Sequence, residues 1–430
     1  MASNKFNRRD FIKISAGATA LGLIGSGCQI AQKNSSASES SSANWTGRLL
    51  LPGSIEDKRA VTASKNFDPS TTSFVDVVDV KNGKIVDKRR TYLNIVKIHE
   101  SIPLPNSPNL AITLPLWGQV AVIFDVVSGK VIREIQADPG HYFAGHLDFY
   151  PKENVYVTVE RDDKAKGPLT GVLKYRDLES HQIQRTVQIP QNPHDIVIVG
   201  DDAIIAHRRS KGRKHNKDNP TGVSVVDLKT GKITWEQSLE NDQLMARHIA
   251  AASKEAIALC VFRTEDAKKI KGDLYKERFE DSLAGSIQWT ELGEERIFLP
   301  SGEMTRIGES AGLVMGSSPD VQHLGGNDVE MSADGKIALT SYCESGVVVA
   351  TDMTSGKPIK VIPGWQFGVA FPTGITLTPD KKFFLIADAN SNVGFVSTSN
   401  LEPRIDMTVP VRIEPGFARR GVHLSSSELI

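Results

Sequence analysis

Histidine recurs along this chain at the interval of a structural repeat. His99, His146, His194 and His248 are 47, 48 and 54 residues apart, and His423 lies seven residues before the C-terminus. Most of them directly precede an alternating or apolar run, such as LDFY after His146 and DIVIV after His194. A repeat of about 40–50 residues built from short strands is typical of a β-propeller blade. We therefore expect these five histidines to occupy one position of the blade, facing the central axis.

A second marker repeats with a similar period. Alternating strands end in an aspartate, and most of these aspartates precede a Gly-Lys pair, which suits tight turns between outer strands. Residues 286–290 and 296–299 fit into the widest gap as the third and fourth strands of one blade, and a last third strand ends near residue 397. The third strands then number seven, and five of them end at Asp79, Asp125, Asp177, Asp227 and Asp352.

These patterns predict an all-β fold, a seven-bladed β-propeller with four-stranded antiparallel blades, over residues 45–430. Near the N-terminus, the chain offers a second, a third and a fourth strand of a blade, at 47–51, 74–80 and 85–91, but no first strand. Near the C-terminus, it offers a first strand, at 423–430, that no further strand follows. The N- and C-terminal strands should therefore complete one blade and leave no open sheet edge. Two insertions, 208–220 and 263–285, are expected above the mouth of the axis that the histidines surround.

The N-terminus, residues 1–28, is expected to be an export signal. Arg8 and Arg9 stand in a segment that resembles the twin-arginine motif, with Ile12 in place of the usual Leu. The apolar run that follows, 14–24, is shorter than the roughly 20 residues that span a bilayer. We therefore expect export by the twin-arginine pathway to the periplasm.

Cys28 follows small residues in a segment that resembles a lipobox, although the nearest branched aliphatic residue, Ile24, stands one place too early. Residues 29–44 are rich in Ser and suit a flexible tether between an anchor and a folded domain. Lipidation of Cys28 would attach the protein to the membrane. The alternative is a plain signal peptide that is removed together with Cys28.

Charge and cysteine usage exclude several classes of protein. The chain has 51 basic and 51 acidic residues, so there is no electrostatic case for nucleic-acid binding. It has no CxxC or CxxCH sequence, and therefore no thioredoxin-like or haem-attachment motif. The segment 341–343 and the serine-rich stretches show no nucleophile-elbow sequence.

Three segments, GHYFAGH at 140–146, PHDI at 193–196 and RHIA at 247–250, are similar to the signatures of a bacterial exported family of unknown function. That family is identified with the YVTN-type and quinoprotein-amine-dehydrogenase-like seven-bladed propellers. The resemblance covers roughly residues 121–396. It implies an envelope role linked to periplasmic iron uptake, without an established activity. The chain departs from the family in its lipobox-like segment, in a longer basic insertion, and in having Asn327-Asp328 and Thr373-Gly374 at two axial positions.

The axial residues predict a transition-metal site, with iron or copper as the metal, because neutral imidazole is a good ligand for both. Rings that converge without opposite charges should lower one another's pKa, which favours the neutral, ligating form. A polar channel that binds a small ligand or water, and a purely structural role, remain as alternatives. The predicted ligands are His99, His146, His194, His248, His423 and Asp328, with His141, Asn327 and Thr373 as secondary site residues.

Three functions follow from this site and from the export signal. The first is an envelope-located propeller that binds a metal or a small-molecule ligand, accessory to iron or metal uptake and working with periplasmic uptake proteins. The second is a metal- or quinone-dependent periplasmic oxidoreductase. The third is a lipid-anchored scaffold for protein interactions. The first is favoured, since the sequence has no recognisable redox motif.

Replacing Cys28 with Ala is expected to release the protein into the soluble periplasm, because the substitution removes the lipidation site. Cell fractionation followed by immunoblotting checks this outcome. A wild-type protein that is already soluble in the periplasm would contradict it.

Overall fold

The computed structural model describes part of the 430 residues. The described residues are 45–55, 73–162, 169–208, 221–239, 244–263, 292–298, 304–306, 326–343, 346–389, 392–413, 417–418 and 423–429. All of them belong to one compact unit, Asn44–Ile270 with Trp289–Ile430. The export signal with Arg8 and Arg9, the lipobox with Cys28, the tether, and almost all of both insertions lie outside the described residues. Within the described part, no helix is both long and apolar enough to cross a bilayer.

The strands of the described residues form seven antiparallel sheets. The first sheet contains β1 (Gly47–Ile55), β2 (Ser73–Lys81) and β3 (Lys84–Leu93), and the second contains β4 (Ile98–Leu104), β5 (Ser107–Pro115), β6 (Val120–Asp125) and β7 (Val131–Gln136). The third contains β8 (His141–Tyr150), β9 (Val155–Asp162), β10 (Gly171–Asp177) and β11 (Ile183–Ile189), and the fourth β12 (Pro193–Val199), β13 (Asp202–His207), β14 (Gly222–Asp227) and β15 (Ile233–Ser238).

The remaining sheets continue the same order. The fifth contains β16 (Leu244–Ser253), β17 (Ala256–Arg263), β18 (Leu292–Phe298) and β19 (Met304–Arg306), and the sixth β20 (Gly326–Met331), β21 (Ile337–Tyr342), β22 (Val347–Asp352) and β23 (Lys357–Pro363). The seventh contains β24 (Pro372–Leu377), β25 (Phe383–Asp388), β26 (Asn392–Ser397) and β27 (Val409–Pro410). The last strands, β28 (Phe417–Ala418) and β29 (Ser425–Ser427), both pair with β1. The described residues include three short 3-10 helices, at Pro151–Glu153, Gly364–Phe367 and Ile405–Met407.

The first strands of successive sheets contact one another in a closed ring. The order of contacts is β4, β8, β12, β16, β20, β24, β29 and back to β4. In six sheets each later strand pairs with the one before it, so the sheet extends outward from this ring as a four-stranded blade. The first sheet extends outward in the order β29, β1, β2 and β3, and the short β28 also pairs with β1. Apolar side chains pack between neighbouring blades, as Leu49 and Val78 of the first sheet do against Leu385 and Phe395 of the last. The predicted seven-bladed β-propeller is confirmed.

The two ends of the chain complete one blade, as the sequence predicted. In the register of β29 with β1, Arg48 stands opposite Ser427 and Leu50 opposite Ser425. Leu424 and Leu49 belong to the same buried cluster. Because β29 is the innermost strand of this blade, the ring of first strands is closed by the C-terminal segment.

The aspartates that end the third strands close the turns that follow them. The carboxylate of Asp125 accepts hydrogen bonds from the N–H groups of Val127 and Ser128, at 3.0 and 2.6 Å. The carboxylates of Asp177 and Asp227 accept equivalent bonds from Ser180 and Thr230, each at 2.7 Å. Such side-chain bonds to the backbone stabilise tight turns, which explains why aspartate recurs at this position.

One strand assignment in the fifth blade was wrong. Residues 296–299 were expected to form its fourth strand, but residues 296–298 belong to β18, which is the third strand because it pairs with both β17 and β19. The sequence of β18, LGEERIF, has consecutive charged residues that conceal the alternation of a strand. The segment 286–290, expected as the third strand, lies outside the described residues.

Truncation of the chain after residue 420 is expected to lower the free energy of unfolding by at least about 3 kcal/mol, because it removes buried Leu424 and the strand that covers β1. Denaturant titration followed by tryptophan fluorescence measures the loss. Removal of residues 428–430 alone is the matched control and should have little effect. Equal midpoints for the two truncations would contradict a role of β29 in closing the ring.

Candidate metal centre

A β-bulge marks the axial position of the first strand in six blades. The pairing of the first strand with the second shifts between Ile98 and Glu100, Phe143 and Leu147, and Pro193 and Asp195. It shifts again between Ala246 and Ile249, Gly326 and Asp328, and Pro372 and Ile375. A bulge leaves its extra residue outside the hydrogen-bonded pairing of the two strands and changes the direction in which that side chain points. The residues re-aimed in this way include His99, His146, His194, His248, Asn327 and Thr373.

The five axial histidines lie together at the centre of the ring. Their ring centroids are 4.1 Å apart for His248 and His423, and 5.8 Å apart for His99 and His248. The side chains are buried, with 1–2% of the residue exposed for His99, His146, His194 and His248, and 8% for His423. These separations are well inside the distance of about 10 Å beyond which one shared ion would be excluded, given bonds of about 2.0–2.1 Å.

Four of these histidines form a group whose potential ligand atoms all lie within 4.8 Å of one another: His99, His146, His248 and His423. Two ligands on opposite sides of one ion stand about 4.2 Å apart at ordinary nitrogen–metal bond lengths. Movements of a few tenths of an ångström would therefore bring the four nitrogens to bonding distance. His194 is outside this group, although its ring centroid is 5.2 Å from that of His146.

The Nδ1 atoms of His194, His248 and His423 are held by oxygen atoms of the protein. Nδ1 of His194 and of His248 donates to a backbone carbonyl oxygen, that of Ala144 at 3.2 Å and of Asn327 at 2.6 Å. Nδ1 of His423 lies 2.9 Å from Oδ2 of Asp328. A ring that donates from Nδ1 keeps its lone pair on Nε2, which is the arrangement that metal-ligating histidines use.

The Nε2 atoms face one another. Nε2 of His423 is 3.0 Å from Nε2 of His248. Within the described part of the chain, the Nε2 atoms of His99, His146 and His194 are buried and have no hydrogen-bond partner. Because a buried polar atom without a partner is costly, such a group calls for an explanation, and an ion is one.

Gly145 is required by the packing of this cluster. Its φ is +115°, a conformation that other residues rarely adopt, and a Cβ at this position would stand 2.4 Å from Cδ2 of His99. The glycine of the AGH sequence therefore lets the backbone of β8 approach the ring of the neighbouring blade.

Burial keeps most of the cluster neutral. It lowers the pKa of His146 to about 4, and the pKa values of His99, His194 and His248 fall well below their usual range for the same reason. The direction predicted for these four is confirmed, but its largest cause is burial, not repulsion between the rings. Burial also acts on His423, but the charge and hydrogen bond of Asp328 outweigh it and raise its pKa.

Carboxyl groups surround the histidines on their Nδ1 side. Nδ1 of His146 lies 3.2 Å from Oδ1 of Asp195 and 3.4 Å from Oε2 of Glu100. Burial raises the pKa of Glu100 to about 8 and that of Asp195 to about 6. It also raises the pKa of Asp148 and of Glu330 to about 7. The cluster is therefore bordered by acids that can be neutral at neutral pH.

The other site residues take different places. Asp328 contacts the cluster through His423, and so supports a ligand instead of joining the four-histidine group. Asn327 also supports a ligand, because its backbone carbonyl oxygen accepts the hydrogen bond from Nδ1 of His248. Thr373 is buried, and its hydroxyl donates to the carbonyl oxygen of Ala387 in the same blade instead of to a ring. His141 lies 3.6 Å from Glu160 and 3.5 Å from Asp162, in a separate group of charges.

Sequence reasoning missed Glu100, Asp195 and Arg247. A signal was present for the two acids, since a carboxyl residue directly follows the axial position in His99-Glu100, His194-Asp195 and Asn327-Asp328. Arg247 precedes His248 within the same bulge. Its proximity to the rings depends on the geometry of the bulge, which the sequence does not reveal.

Comparisons with known proteins agree with the fold. Residues 99–281, less than half of the chain, match the model of a family described as "Protein of unknown function (DUF1513)". The chain is structurally similar to hydrazine synthase of Kuenenia stuttgartiensis, with 12% identity over 76% of this chain and 90% of the other and a TM-score of 0.51. It is also similar to a hypothetical selenium-binding protein of Sulfolobus tokodaii, with 13% identity over 90% and 95% and a TM-score of 0.57. No curated protein matches the sequence significantly.

His207 shows what a structural histidine looks like in this protein. It is buried, with Nδ1 3.2 Å from the carbonyl oxygen of Gln191 and Nε2 2.6 Å from Oγ of Ser224. Both nitrogens have partners, whereas Nε2 of His99, His146 and His194 has none among the described residues. Burial lowers the pKa of His207 to about 4.

Replacement of His207 by Gln should flatten the acid dependence of stability. Above the ordinary pKa of 6.5, the ring is neutral in both the folded and the unfolded chain. As the pH falls towards 4, only the unfolded chain gains the proton, so folding stability falls by about 2 kcal/mol between pH 6.5 and 5. Denaturant midpoints of the wild-type protein and the variant at pH 7 and pH 5 measure the contribution of His207, since the remaining histidines contribute equally in the two proteins. The same pH dependence in the two proteins would argue against it.

Proposed function

We propose that this protein binds one first-row transition-metal ion, iron or copper, at the axial histidine cluster. The observation that carries the proposal is the four-histidine group, whose ligand atoms lie within 4.8 Å of one another. The ligands are His99, His146, His248 and His423, and His194 stands next to them. A bound ion would accept the Nε2 lone pairs. In His248 the hydrogen bond from Nδ1 to the carbonyl oxygen of Asn327 fixes the tautomer that leaves this lone pair free.

The alternatives explain the cluster less well. A structural histidine satisfies both nitrogens, as His207 does, but Nε2 of His99 and of His146 has no partner among the described residues. A channel that held only water would satisfy these atoms, but it would not account for anchoring of Nδ1 by carbonyl and carboxylate oxygens in several blades at once. Anchoring by carboxylate or carbonyl groups is the arrangement that accompanies metal ligation.

The chemistry of the donor set favours iron or copper. The four-residue group contains imidazole alone, without a thiolate or a carboxylate. Imidazole suits iron, copper, zinc and nickel, whereas magnesium and calcium prefer oxygen ligands. Affinity for such a site follows the order of the divalent ions, with copper above iron, so the metal held in the cell depends on which ion is available where the protein is loaded.

The cellular role that we propose is in the envelope, accessory to iron or metal uptake. The supporting observations are Arg8 and Arg9 in a twin-arginine-like segment, Cys28 in a lipobox-like segment, and the signatures shared with exported propellers. A lipid-anchored propeller with a buried metal site would hold an ion or its complex at the membrane surface for periplasmic uptake proteins.

Protein purified after native export is expected to contain about one equivalent of iron or copper, measured by inductively coupled plasma mass spectrometry. Replacing His146 and His248 together with Ala should lower the occupancy to background, because two of four ligands are lost. His194→Ala alone should have a smaller effect, since His194 lies outside the four-residue group. The substitutions leave the apolar packing between blades intact.

The matched control is His181→Asn, which removes a histidine outside the cluster. His181 has a φ of 60°, which Asn tolerates, so this variant should keep both the fold and the metal. Circular dichroism and thermal unfolding report the fold of each variant. A wild-type protein without metal, which also fails to bind Fe²⁺ or Cu²⁺ when they are added, would overturn the proposal.

A further inference from the structure

The first strands are buried at the level of the histidine rings and partly exposed further along. In β12, residues 193–196 are buried and residues 197–199 are partly exposed, and the same change occurs at Asp148 in β8 and at Thr376 in β24. A first strand has its second strand along one edge and a neighbouring blade on each face, so its other edge faces the axis. Solvent therefore reaches these residues along an axial channel that opens at the face where the first strands end.

Asp148 lies in the wall of this channel. Its Oδ2 accepts a hydrogen bond from the N–H of Ile198 at 2.7 Å, and its Oδ1 accepts one from the N–H of Phe149 at 2.7 Å. Ile198 lies four residues after His194, and four residues of a β-strand rise about 13 Å. The carboxylate is therefore displaced from the rings towards the face at which the channel opens.

Glu330 lies at the same depth on the other side of the axis. Its Oε1 accepts a hydrogen bond from the N–H of Met331 at 2.8 Å, and Met331 is the fourth residue after the axial position of its strand. The third and sixth blades, which supply Asp148 and Glu330, stand across the ring from each other. Burial raises the pKa of Glu330 to about 7, and the charges of Asp328 and Asp148 add to this rise, whereas the charge of Lys381 opposes it. The two carboxyl groups therefore repel each other across the axis.

Further carboxyl groups lead from this depth to the rings. Glu100 contributes to the raised pKa of Asp148, and its Oε2 lies 3.4 Å from Nδ1 of His146. Oδ1 of Asp195 lies 3.2 Å from the same nitrogen. On the opposite side of this ring, Nε2 is buried and has no hydrogen-bond partner within the described part of the chain. The series of carboxyl groups therefore ends at a ring whose other nitrogen is suited to a metal ligand.

We propose that the metal ion reaches the histidine cluster along this channel, from the face where the first strands end, with the carboxylates of Asp148 and Glu330 as its first contacts. The inference rests on the proposed metal site and names the route by which the ion enters and leaves it. Carboxylates attract a divalent cation, but imidazole is the better ligand for iron and copper. A contact on a path must bind an ion well enough to admit it and weakly enough to release it. A cation that passes between Asp148 and Glu330 also relieves the repulsion between them.

The test uses full-length protein purified after native export and stripped of metal. Rapid mixing with Cu²⁺ at neutral pH gives the rate constant of binding from the visible absorption of the copper centre. Mixing of the copper-loaded protein with excess EDTA gives the rate constant of release. Glu330 is the residue to change, because its hydrogen bond stays within its own strand, whereas Asp148 also joins two blades through Ile198.

Glu330→Gln keeps the shape of the side chain without its charge, and it should slow both binding and release about threefold. Glu330→Lys places a cation in the channel and should slow both at least about tenfold. Release becomes slower as well because Glu330 lies nearer to the path than to the bound ion. The matched controls are Glu255→Gln and Glu255→Lys, at an exposed position in the turn between β16 and β17 on the same face, and they should behave as wild type.

The outcomes separate the two proposals. If the wild-type protein does not bind Cu²⁺, the metal site is wrong and the route is overturned with it. If Cu²⁺ binds and Glu330→Lys binds and releases it at wild-type rates, only the route is overturned. Slower binding with faster release would mean that Glu330 acts on the bound ion, which also overturns the route. Thermal unfolding reports the fold of each variant, and Glu330→Gln tests the route by itself if Glu330→Lys does not fold.

Discussion

Burial of five imidazole rings in the ring of first strands is the constraint on which the centre of this structure depends. A buried ring must be neutral or paired, and burial lowers the pKa of His146 to about 4. Fixing Nδ1 on an oxygen of the protein then decides both the tautomer and the direction of the ring, as the carbonyl oxygen of Asn327 does for His248. The Nε2 atoms are left to face one another, which is unfavourable in a purely structural site and favourable around a metal.

The carboxyl groups that support the histidines also join the blades. The carboxylate of Asp195 accepts a hydrogen bond from the N–H of Ile249, one blade further on, and Asp328 accepts one from Ile375. Asp148 and Glu100 accept equivalent bonds from Ile198 and Leu147, at 2.7 and 3.4 Å. A single layer of acids therefore holds neighbouring first strands together and orients the rings. Changes at these acids are expected to affect stability and the site together, so they are poor probes of either one alone.

The repeat spacing of the histidines and of the aspartates that end the third strands was sufficient to predict the propeller, and the histidine spacing predicted the residues of the central cluster. The incomplete strand sets at the two ends predicted the blade that they complete together. The prediction succeeded because every blade places the same repeat position at the axis. Residues that are one repeat apart along the chain therefore lie close together in space. The fifth blade shows the limit, since the charged residues of LGEERIF hide the strand alternation and the third strand was placed too early. The partners of the rings could not be predicted from the sequence either. Arg247 and Asp195 reach the histidines of other blades through bulges, and the spacing of residues along the chain does not determine the geometry of a bulge.

The centre cannot exist before the ring is closed. His423 comes from the C-terminal segment, and its N–H donates to the carbonyl oxygen of His99, which lies in the first complete blade of the chain. The four-histidine group therefore unites residues that are more than 300 positions apart, and an unfolded or truncated chain does not offer it. A ligand that binds only the folded state stabilises that state by an amount that grows with the logarithm of its concentration above the dissociation constant. Metal binding at this group would then favour the closed ring over any open form, and the C-terminal strand that completes the first blade would be stabilised by the ion that this segment helps to bind.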